Sequence, residues 1–196
     1  SIMIDIQPIN KSAANAIVKD WHRHNKPVPI MQISFCYGIW ADYNPGGHQL
    51  VGVVIVGEPC GRPTGKDRKL ILEIRRVCFK PGFNHLKLKR WYPTSDNQPF
   101  KDSPTLRNLT MVVKDEQGQT LAYDMTTPYK FPSKIIEYAT FFTNRYYENI
   151  KVLWTYILKK ENGRYLAESG FVQDKIFKRR NTWKRRYTKQ LIEERA

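Results

Sequence analysis

The chain has 196 residues, of which 41% are hydrophobic and 13% aromatic, so it can bury the core of one globular domain and is not a disordered protein. Its 33 Lys and Arg residues outnumber its 18 Asp and Glu residues, which gives a formal net charge of +15. This charge predicts a polyanionic partner, and the absence of any apolar run near the roughly 20 residues of a spanning helix argues against a membrane protein.

The cysteines and the start of the chain predict a cytoplasmic protein. No signal-peptide pattern opens the sequence. Cys36, Cys60 and Cys78 each stand in or beside an apolar, strand-like run, which is typical of thiols in a reducing compartment. No pair of them has the spacing of a structural zinc site.

The first third of the chain predicts a strand, a helix and three further strands. Residues 4–9 alternate like a short strand, and Asn10 or Ser12 can cap the following helix, which should end near Lys26 before Pro27. The apolar positions that define one face of this helix are Ala13, Ala16, Ile17 and Trp21. Three strands follow at residues 32–41, 49–57 and 70–79, the first two joined by the turn sequence Asn44-Pro45-Gly46-Gly47.

Residues 84–131 are the weakest part of the pattern and are interpreted as an insertion within a single domain of residues 1–196. They contain only two short strand-like pieces, at 109–113 and 120–123. Their many Pro, Asn, Asp and Thr residues otherwise favour loops.

The last third predicts helix, strand, helix and strand. Residues 133–149 form an amphipathic helix, 151–158 a solid apolar strand, and a short helix then ends at Gly170, which suits a C-cap. The inward positions of the long helix should be Ile135, Ile136, Ala139, Phe142 and Tyr146. Residues 175–196 are interpreted as a basic C-terminal strand and tail. This order of elements predicts an α/β (α+β) fold with a mixed, largely antiparallel sheet and helices on its faces.

Several segments, in this order, resemble the Mom branch of the GNAT acyltransferase superfamily, which comprises phage DNA adenine modification proteins and their relatives. The resemblance covers most of residues 1–83 and 132–172. The segments that carry it are His22-Arg23-His24-Asn25, Phe35–Gly38, Leu50–Val53, Gly57-Glu58-Pro59 with Arg62, Leu72–Cys78, and Trp154–Leu158 with Glu161 and Leu166–Phe171.

The resemblance implies a GNAT-like fold with an insertion before the third main helix. It also implies a phage enzyme that adds an acyl-derived, carbamoylmethyl-type group to the N6 amine of adenine in double-stranded DNA and so protects that DNA from restriction. The donor would be acetyl-CoA or another activated acyl or aminoacyl compound. Basic contacts to phosphates and an aromatic pocket for an extruded base would suit this activity.

The acceptor pocket is expected at His22, His24 and Asn25. In the resembling family this segment faces the acceptor, and a histidine with a near-neutral pKa could take the amine proton while Asn reads the adenine edge. The competing interpretation is a basic helix end, because residues two apart diverge on a helix. A bound iron or other divalent ion on these histidines stays open.

The donor side is expected on the strand at 70–79 and at the start of the 133–149 helix. Glu73 and Arg75 should share one face of the strand and Arg76 the other, which makes Glu73 a candidate base or orienting group and Arg76 a candidate ligand of the donor. The helix start lacks the family's Gly-rich loop and offers Lys130, Ser133 and Lys134 instead. A salt bridge and ordinary helix capping are the structural alternatives.

Two tyrosines compete as the acid that protonates the leaving group, Tyr165 near the family's usual position and Tyr156 on the preceding strand. The candidate DNA contacts, besides Asn25, are basic or aromatic residues of the hairpin, the connector after it, the insertion and the tail: Tyr37, Trp40, Arg62, Lys89, Arg90, Trp183, Lys184, Arg185 and Arg186. Two other functions fit the same sequence, a GNAT N-acetyltransferase acting on tRNA, protein or a small amine, and a non-catalytic nucleic-acid-binding module.

Overall fold

The computed structural model describes residues 2–21, 26–43, 47–61, 63, 65–81, 109–127, 130–179 and 182–191. Within them lie three α-helices and nine strands, in the order β1 Ile2–Pro8, α1 Lys11–Trp21, β2 Ile33–Tyr43, β3 Gly47–Gly57, β4 Ile71–Phe79, β5 Leu109–Lys114, β6 Thr120–Thr126, α2 Phe131–Tyr146, β7 Val152–Leu158, α3 Arg164–Glu168, β8 Val172–Arg179 and β9 Thr182–Gln190. Two short 3-10 helices lie at Ile30–Gln32 and Gly65–Leu70. The predicted mixed sheet, largely antiparallel and flanked by helices, is confirmed. No helix in these ranges is long and apolar enough to cross a membrane.

The chain forms two compact units, and β3 and β4 each contribute residues to both. The first unit comprises Ser1–Ile55 and Arg76–Phe131. Its strands lie in the order β6-β5-β1-β2-β3-β4. Here β1 pairs antiparallel with β2 and parallel with β5, so that Ile4 lies beside both Ala41 and Met111. One face of these strands is fully buried, at Ile4, Ile6, Ile39, Met111 and Val113.

Helix α1 packs on the sheet with a face that matches the predicted one at Ile17 and Trp21 but not at Ala13 and Ala16. The Asn10 side chain caps it as expected, accepting hydrogen bonds from the amides of Ser12 and Ala13. Ala14 and Val18 are the buried positions, with Ile17 and Trp21 packed beside them, whereas Ala13 and Ala16 are exposed. Small alanines carry little directional information, so the sequence placed the face about one position too early.

The region interpreted as an insertion contributes two strands of the first unit. β5 lies parallel beside β1, and β6 pairs antiparallel with β5 at the edge. Residues 84–108 of that region lie outside the described residues. The short-range pattern could not show the β1–β5 pairing, because the two strands are about a hundred residues apart.

The second unit comprises Val56–Arg75 and Pro132–Ala196. Its strands follow the order β4-β7-β9-β8, with β4 parallel to β7 and the other pairs antiparallel. Helix α2 buries the predicted Ile135, Ile136, Ala139 and Phe142, but Tyr146 near its end is 51% exposed. α3 ends as predicted, with Gly170 at φ +86° and the Phe171 amide bonded to the Leu166 carbonyl.

The C-terminal segment is a hairpin, not the single strand and tail predicted from its alternation. β8 and β9 pair from Val172 beside Thr188 to Arg179 beside Thr182. β9 also pairs with β7, so it lies between two strands. The basic and aromatic alternation runs through both strands, which concealed where the first strand ends and the second begins.

Candidate functional site

A polar cluster lies on one face of the second unit where the pairing of β4 with β7 ends. Glu73 on β4 lies beside Trp154 on β7, and the parallel pairing stops one residue later, at Ile74 and Thr155. Tyr156 follows Trp154 on the same face, and Arg186 of β9 lies opposite Tyr156. The register therefore brings together one predicted base, one predicted acid and one predicted DNA contact.

Glu73 and Arg75 form a buried ion pair beneath the loop at residues 58–61. Their side chains are 6% and 4% exposed, and Arg75 Nε lies 3.4 Å from Glu73 Oε2. Glu73 Oε1 accepts a hydrogen bond of 3.2 Å from the Cys60 amide, and Arg75 Nη1 donates one of 2.7 Å to the Glu58 carbonyl. The prediction that Glu73 and Arg75 share one face is confirmed, and both side chains hold the loop.

Tyr156 presents its hydroxyl to this loop and to charged neighbours. A methyl group added at Gly61 would lie 3.4 Å from the Tyr156 hydroxyl. Burial raises the pKa of Tyr156, the negative charges of Glu73 and Asp174 raise it further, and a hydrogen bond from Arg186 acts in the opposite direction. The phenol is therefore protonated at neutral pH and is suited to donate a proton.

Arg186 is held by a carboxylate and by an aromatic ring. Its Nε and Nη2 each donate a 2.9 Å hydrogen bond to the carboxylate of Asp174, and its guanidinium carbon lies 4.0 Å from the centre of the Trp154 ring. A β-bulge between Gln173 and Lys175 inserts Asp174 into the strand and gives it this position. Since a forked pair holds the guanidinium in one plane, Arg186 is oriented towards Tyr156.

Tyr165 lies on the opposite face of the sheet. Tyr187 pairs with Thr155, which is one residue along from the Tyr156–Arg186 pair. The side chain of Tyr187 therefore points to the face opposite that of Tyr156 and Arg186. Burial raises the pKa of Tyr165 to about 12, with Glu161 and Tyr187 adding to the effect and Arg185 opposing it. A methyl group at Gly163, just before α3, would overlap the Tyr187 hydroxyl, so α3 packs tightly on that face. Tyr156 is thus the tyrosine that shares a face with Glu73.

The predicted donor ligands differ in their exposure and in their partners. Arg76 Nε donates a 3.0 Å hydrogen bond to the carbonyl of Lys26, the residue directly after the histidine segment. Ser133 is 3% exposed within the first turn of α2, and Lys134 pairs with Glu137 at 3.1 Å. Lys130 is exposed just before α2, where its amide bonds the Thr127 carbonyl. Of these side chains, Lys130 is the exposed one at the helix start.

Six predicted site residues lie outside the described part of the chain: His22, His24, Asn25, Arg62, Lys89 and Arg90. Among the residues that the structure does describe, no group of three or more His, Cys, Asp or Glu side chains is placed to hold a metal ion. A metal on the two histidines therefore remains a prediction.

The remaining predicted DNA contacts divide between core and surface. Tyr37 is fully buried, so it belongs to the core and not to a DNA-binding surface, which corrects its prediction as a contact. Trp40 is half-buried and stacks against His48 with ring centres 6.4 Å apart. The sequence placed Tyr37 in a predicted strand but could not show that its side chain would be covered.

The β8–β9 hairpin is rich in cations, with seven Lys and Arg residues on its two strands. The ammonium groups of Lys159 and Lys178 lie 3.8 and 4.6 Å from the centre of the Trp183 ring. Lys184 is exposed. Arg185 donates hydrogen bonds to the Glu161 carbonyl and to the Gln173 side chain. The ring predicted to stack on a base is therefore in contact with lysines. The hairpin is basic but already internally bonded at Arg185 and Arg186.

Sequence reasoning missed three members of the cluster, Gly61, Asp174 and Trp154. Gly61 could have been found from the Gly-Glu-Pro-Cys-Gly segment, which is rich in turn residues and precedes the Glu73 strand. Asp174 gave no signal, because only the strand pairing reveals the bulge that turns it towards Arg186.

Comparisons with known proteins support the fold. No protein-family model matches the sequence, and no curated protein matches it either. Two solved structures superpose with a TM-score of 0.50: a protein assigned as a phosphinothricin N-acetyltransferase, and the ribosomal-protein-S18-alanine N-acetyltransferase from Escherichia coli. The first is 10% identical and is matched over 96% of this chain and 98% of its own; the second is 11% identical and is matched over 96% and 94%. The chain has the fold of GNAT acetyltransferases; nothing in these comparisons points to the Mom branch in particular.

Proposed function

We propose that the protein is a GNAT-fold N-acyltransferase in which Tyr156 is the general acid. The observation that carries the proposal is the position of the Tyr156 phenol, at the end of the parallel β4–β7 pairing and on the face of Glu73, with a pKa raised by burial and by the nearby carboxylates. A protonated phenol held in place by Arg186 is a proton donor ready for a leaving thiolate.

The proposed reaction transfers an acyl group from a thioester to an amine. The amine nitrogen attacks the thioester carbonyl carbon and forms the new C–N bond. The C–S bond then breaks, the sulfur takes the proton of Tyr156, and the attacking nitrogen loses a proton to a base. His22 or His24 is the predicted proton acceptor, and Tyr156 regains its proton from solvent.

The proposed donor is an acyl-coenzyme A, as the fold suggests. Lys130, exposed before α2, would meet its phosphates, and Arg76 stays a predicted second ligand. Lys134 and Ser133 fit less well, because the first already pairs with Glu137 and the second is buried. An aminoacyl donor remains the alternative to a coenzyme A thioester.

For the acceptor we propose an amine carried by a nucleic acid, and in its most specific form the N6 amine of adenine in DNA. The support is the net charge of +15 and the cations of the β8–β9 hairpin, together with the sequence resemblance to the Mom branch. A small amine or a protein amine is the competing acceptor, because the structural neighbours are named for such substrates.

The test has two arms that separate the reaction from the acceptor. Free thiol released from acetyl-CoA is followed with a panel of amines, a peptide N-terminus, tRNA and duplex DNA as acceptors. In parallel, DNA and RNA from an expressing bacterium are digested to nucleosides, and their masses are compared with those from cells that express Tyr156→Phe.

Thiol release that depends on duplex DNA, with a new adenosine adduct missing in the variant, would support the whole proposal. Thiol release with a small amine or peptide would keep the acyltransferase and replace the acceptor. Salt-dependent DNA binding by a folded protein that releases no thiol and leaves no adduct would refute the enzyme and favour a binding module.

A further inference from the structure

We propose that Glu73 and Arg75 are positioning residues that clamp the 58–61 loop over Tyr156, and that Glu73 is not the base of the reaction. The catalytic part of this inference rests on the proposed function, whereas the clamp itself does not depend on it. The clamp would set the shape of the site in front of the Tyr156 hydroxyl.

The ion pair holds the loop at two points of its backbone. Arg75 holds the Glu58 carbonyl at 2.7 Å, and Glu73 holds the Cys60 amide at 3.2 Å. A hydrogen bond in which the donor or the acceptor is ionised is charge-assisted and therefore stronger than one between neutral groups. Two such contacts, two residues apart, restrain the loop backbone where β3 ends.

The Glu73 carboxylate is directed at the protein. One oxygen faces the Cys60 amide, the other faces Arg75, and the side chain is only 6% exposed. A base must come within hydrogen-bond reach of the proton it removes, directly or through one water. Glu73 would have to leave both contacts to do so, at the cost of a separated buried charge pair.

The clamped loop lies directly beside the Tyr156 hydroxyl. Gly61, next to the clamped Cys60, faces this hydroxyl, since a methyl group there would be in van der Waals contact with it at 3.4 Å. A loop that shifts by about an ångström would narrow or widen the space between Gly61 and the hydroxyl. The clamp thus connects two buried residues on β4 with the acid on β7.

The clamp can be tested without any substrate, because cysteine is rare in this chain. Protein labelled with ¹⁵N-cysteine has three backbone amide signals, from Cys36, Cys60 and Cys78, and Cys60→Ser assigns the one of interest. Cys36 and Cys78 lie buried in β2 and β4 and report whether the fold is intact. Hydrogen exchange is then measured for wild type, Glu73→Ala, Glu73→Gln, Arg75→Met and Glu58→Gln.

We expect Glu73→Ala to accelerate exchange at Cys60 by about 10- to 100-fold, the range for loss of one hydrogen bond to a charged acceptor, with Cys36 and Cys78 unchanged. Glu73→Gln keeps an oxygen for the amide and should show a smaller effect. Glu58→Gln is the matched control: the loop is held by the Glu58 carbonyl, not by its exposed side chain, so exchange at Cys60 should stay at the wild-type rate.

Unchanged exchange at Cys60 in Glu73→Ala and Arg75→Met, with intact reference signals, overturns the clamp. If Glu73→Ala does not fold, Glu73→Gln and Arg75→Met decide the question in its place. In the acyl-transfer assay, a clamp predicts that Glu73→Gln raises KM more than it lowers kcat. It also predicts that the fall of kcat at acidic pH is the same in this variant as in the wild type. Loss of the acidic fall of kcat in Glu73→Gln would identify Glu73 as the base and overturn the inference. Clamp-dependent exchange in a protein that transfers no acyl group would retain the clamp and refute the proposed function alone.

Discussion

The sharpest test of the site is the exchange of one hydroxyl for hydrogen at each of two tyrosines on opposite faces of the sheet. Tyr156→Phe removes the hydroxyl that faces Glu73, Arg186 and Gly61. Tyr165→Phe makes the same chemical change on the Tyr187 face. The pair is matched in size and hydrophobicity, so it isolates the position of the hydroxyl.

The expected magnitude follows from the proposed role. A positioned general acid contributes about 10²- to 10⁴-fold to the rate, which corresponds to roughly 3 to 5 kcal/mol in the barrier. The folded state loses less: one hydrogen bond between a half-buried phenol and the charged Arg186 is worth roughly 1.5 to 3 kcal/mol, or about 3–12 °C in Tm for a chain of this length. Tyr156→Phe should therefore stay folded while its kcat falls by at least about a hundredfold.

The assay is release of free thiol from acetyl-CoA at saturating acceptor, as a function of pH, with thermal unfolding measured alongside. We expect Tyr165→Phe to remain within about threefold of wild type. A Tyr156→Phe protein that keeps the wild-type kcat and pH profile would refute the assignment of the acid. Equal losses in both variants would show that the face of the sheet does not matter, contrary to the geometry.

Three further predictions concern charge and pH. Arg186→Gln removes the hydrogen bond and positive charge that lower the pKa of Tyr156, so its ionisation should move to higher pH in an ultraviolet titration referenced to Tyr156→Phe; a shift to lower pH would contradict the interaction. Replacing the exposed Lys178 and Lys184 by Gln should reduce the slope of log Kd against log salt for duplex DNA by about 0.9 for each phosphate that is no longer neutralised, whereas the same change at the exposed Lys69 and Lys151 should leave the slope as it is. Burial raises the pKa of Cys36 and of Cys78 to about 11, from 9.0, so the unfolded thiols ionise first and stability should fall between about pH 9 and pH 11 by roughly 1.4 kcal/mol per unit for each cysteine. Urea melts should show this loss reduced in Cys36→Ala and unchanged in Cys60→Ser, and a wild-type midpoint that is flat over this range would contradict it.

The sequence by itself determined the features that depend on neighbours along the chain. The Asn10 cap, the Gly170 C-cap, the buried positions of α2 before Tyr146 and the shared face of Glu73 and Arg75 all follow from residues within about four positions of each other. The alternation and turn residues of β2, β3 and β4 likewise specify strands before any pairing is known. These local signals sufficed to predict the sheet and the helices that flank it.

Tertiary structure alone decided which of these residues meet. Whether Tyr156 or Tyr165 shares a face with Glu73 depends on the register of β4, β7 and β9, and a one-residue shift would exchange the two faces. The pairing of Asp174 with Arg186 depends on a β-bulge in β8. The position of β5 beside β1 depends on a contact between segments that are far apart in the chain. Because strand register is set by packing across the sheet and not by the residues within one strand, the sequence could name the acid's two candidates but only the fold could separate them.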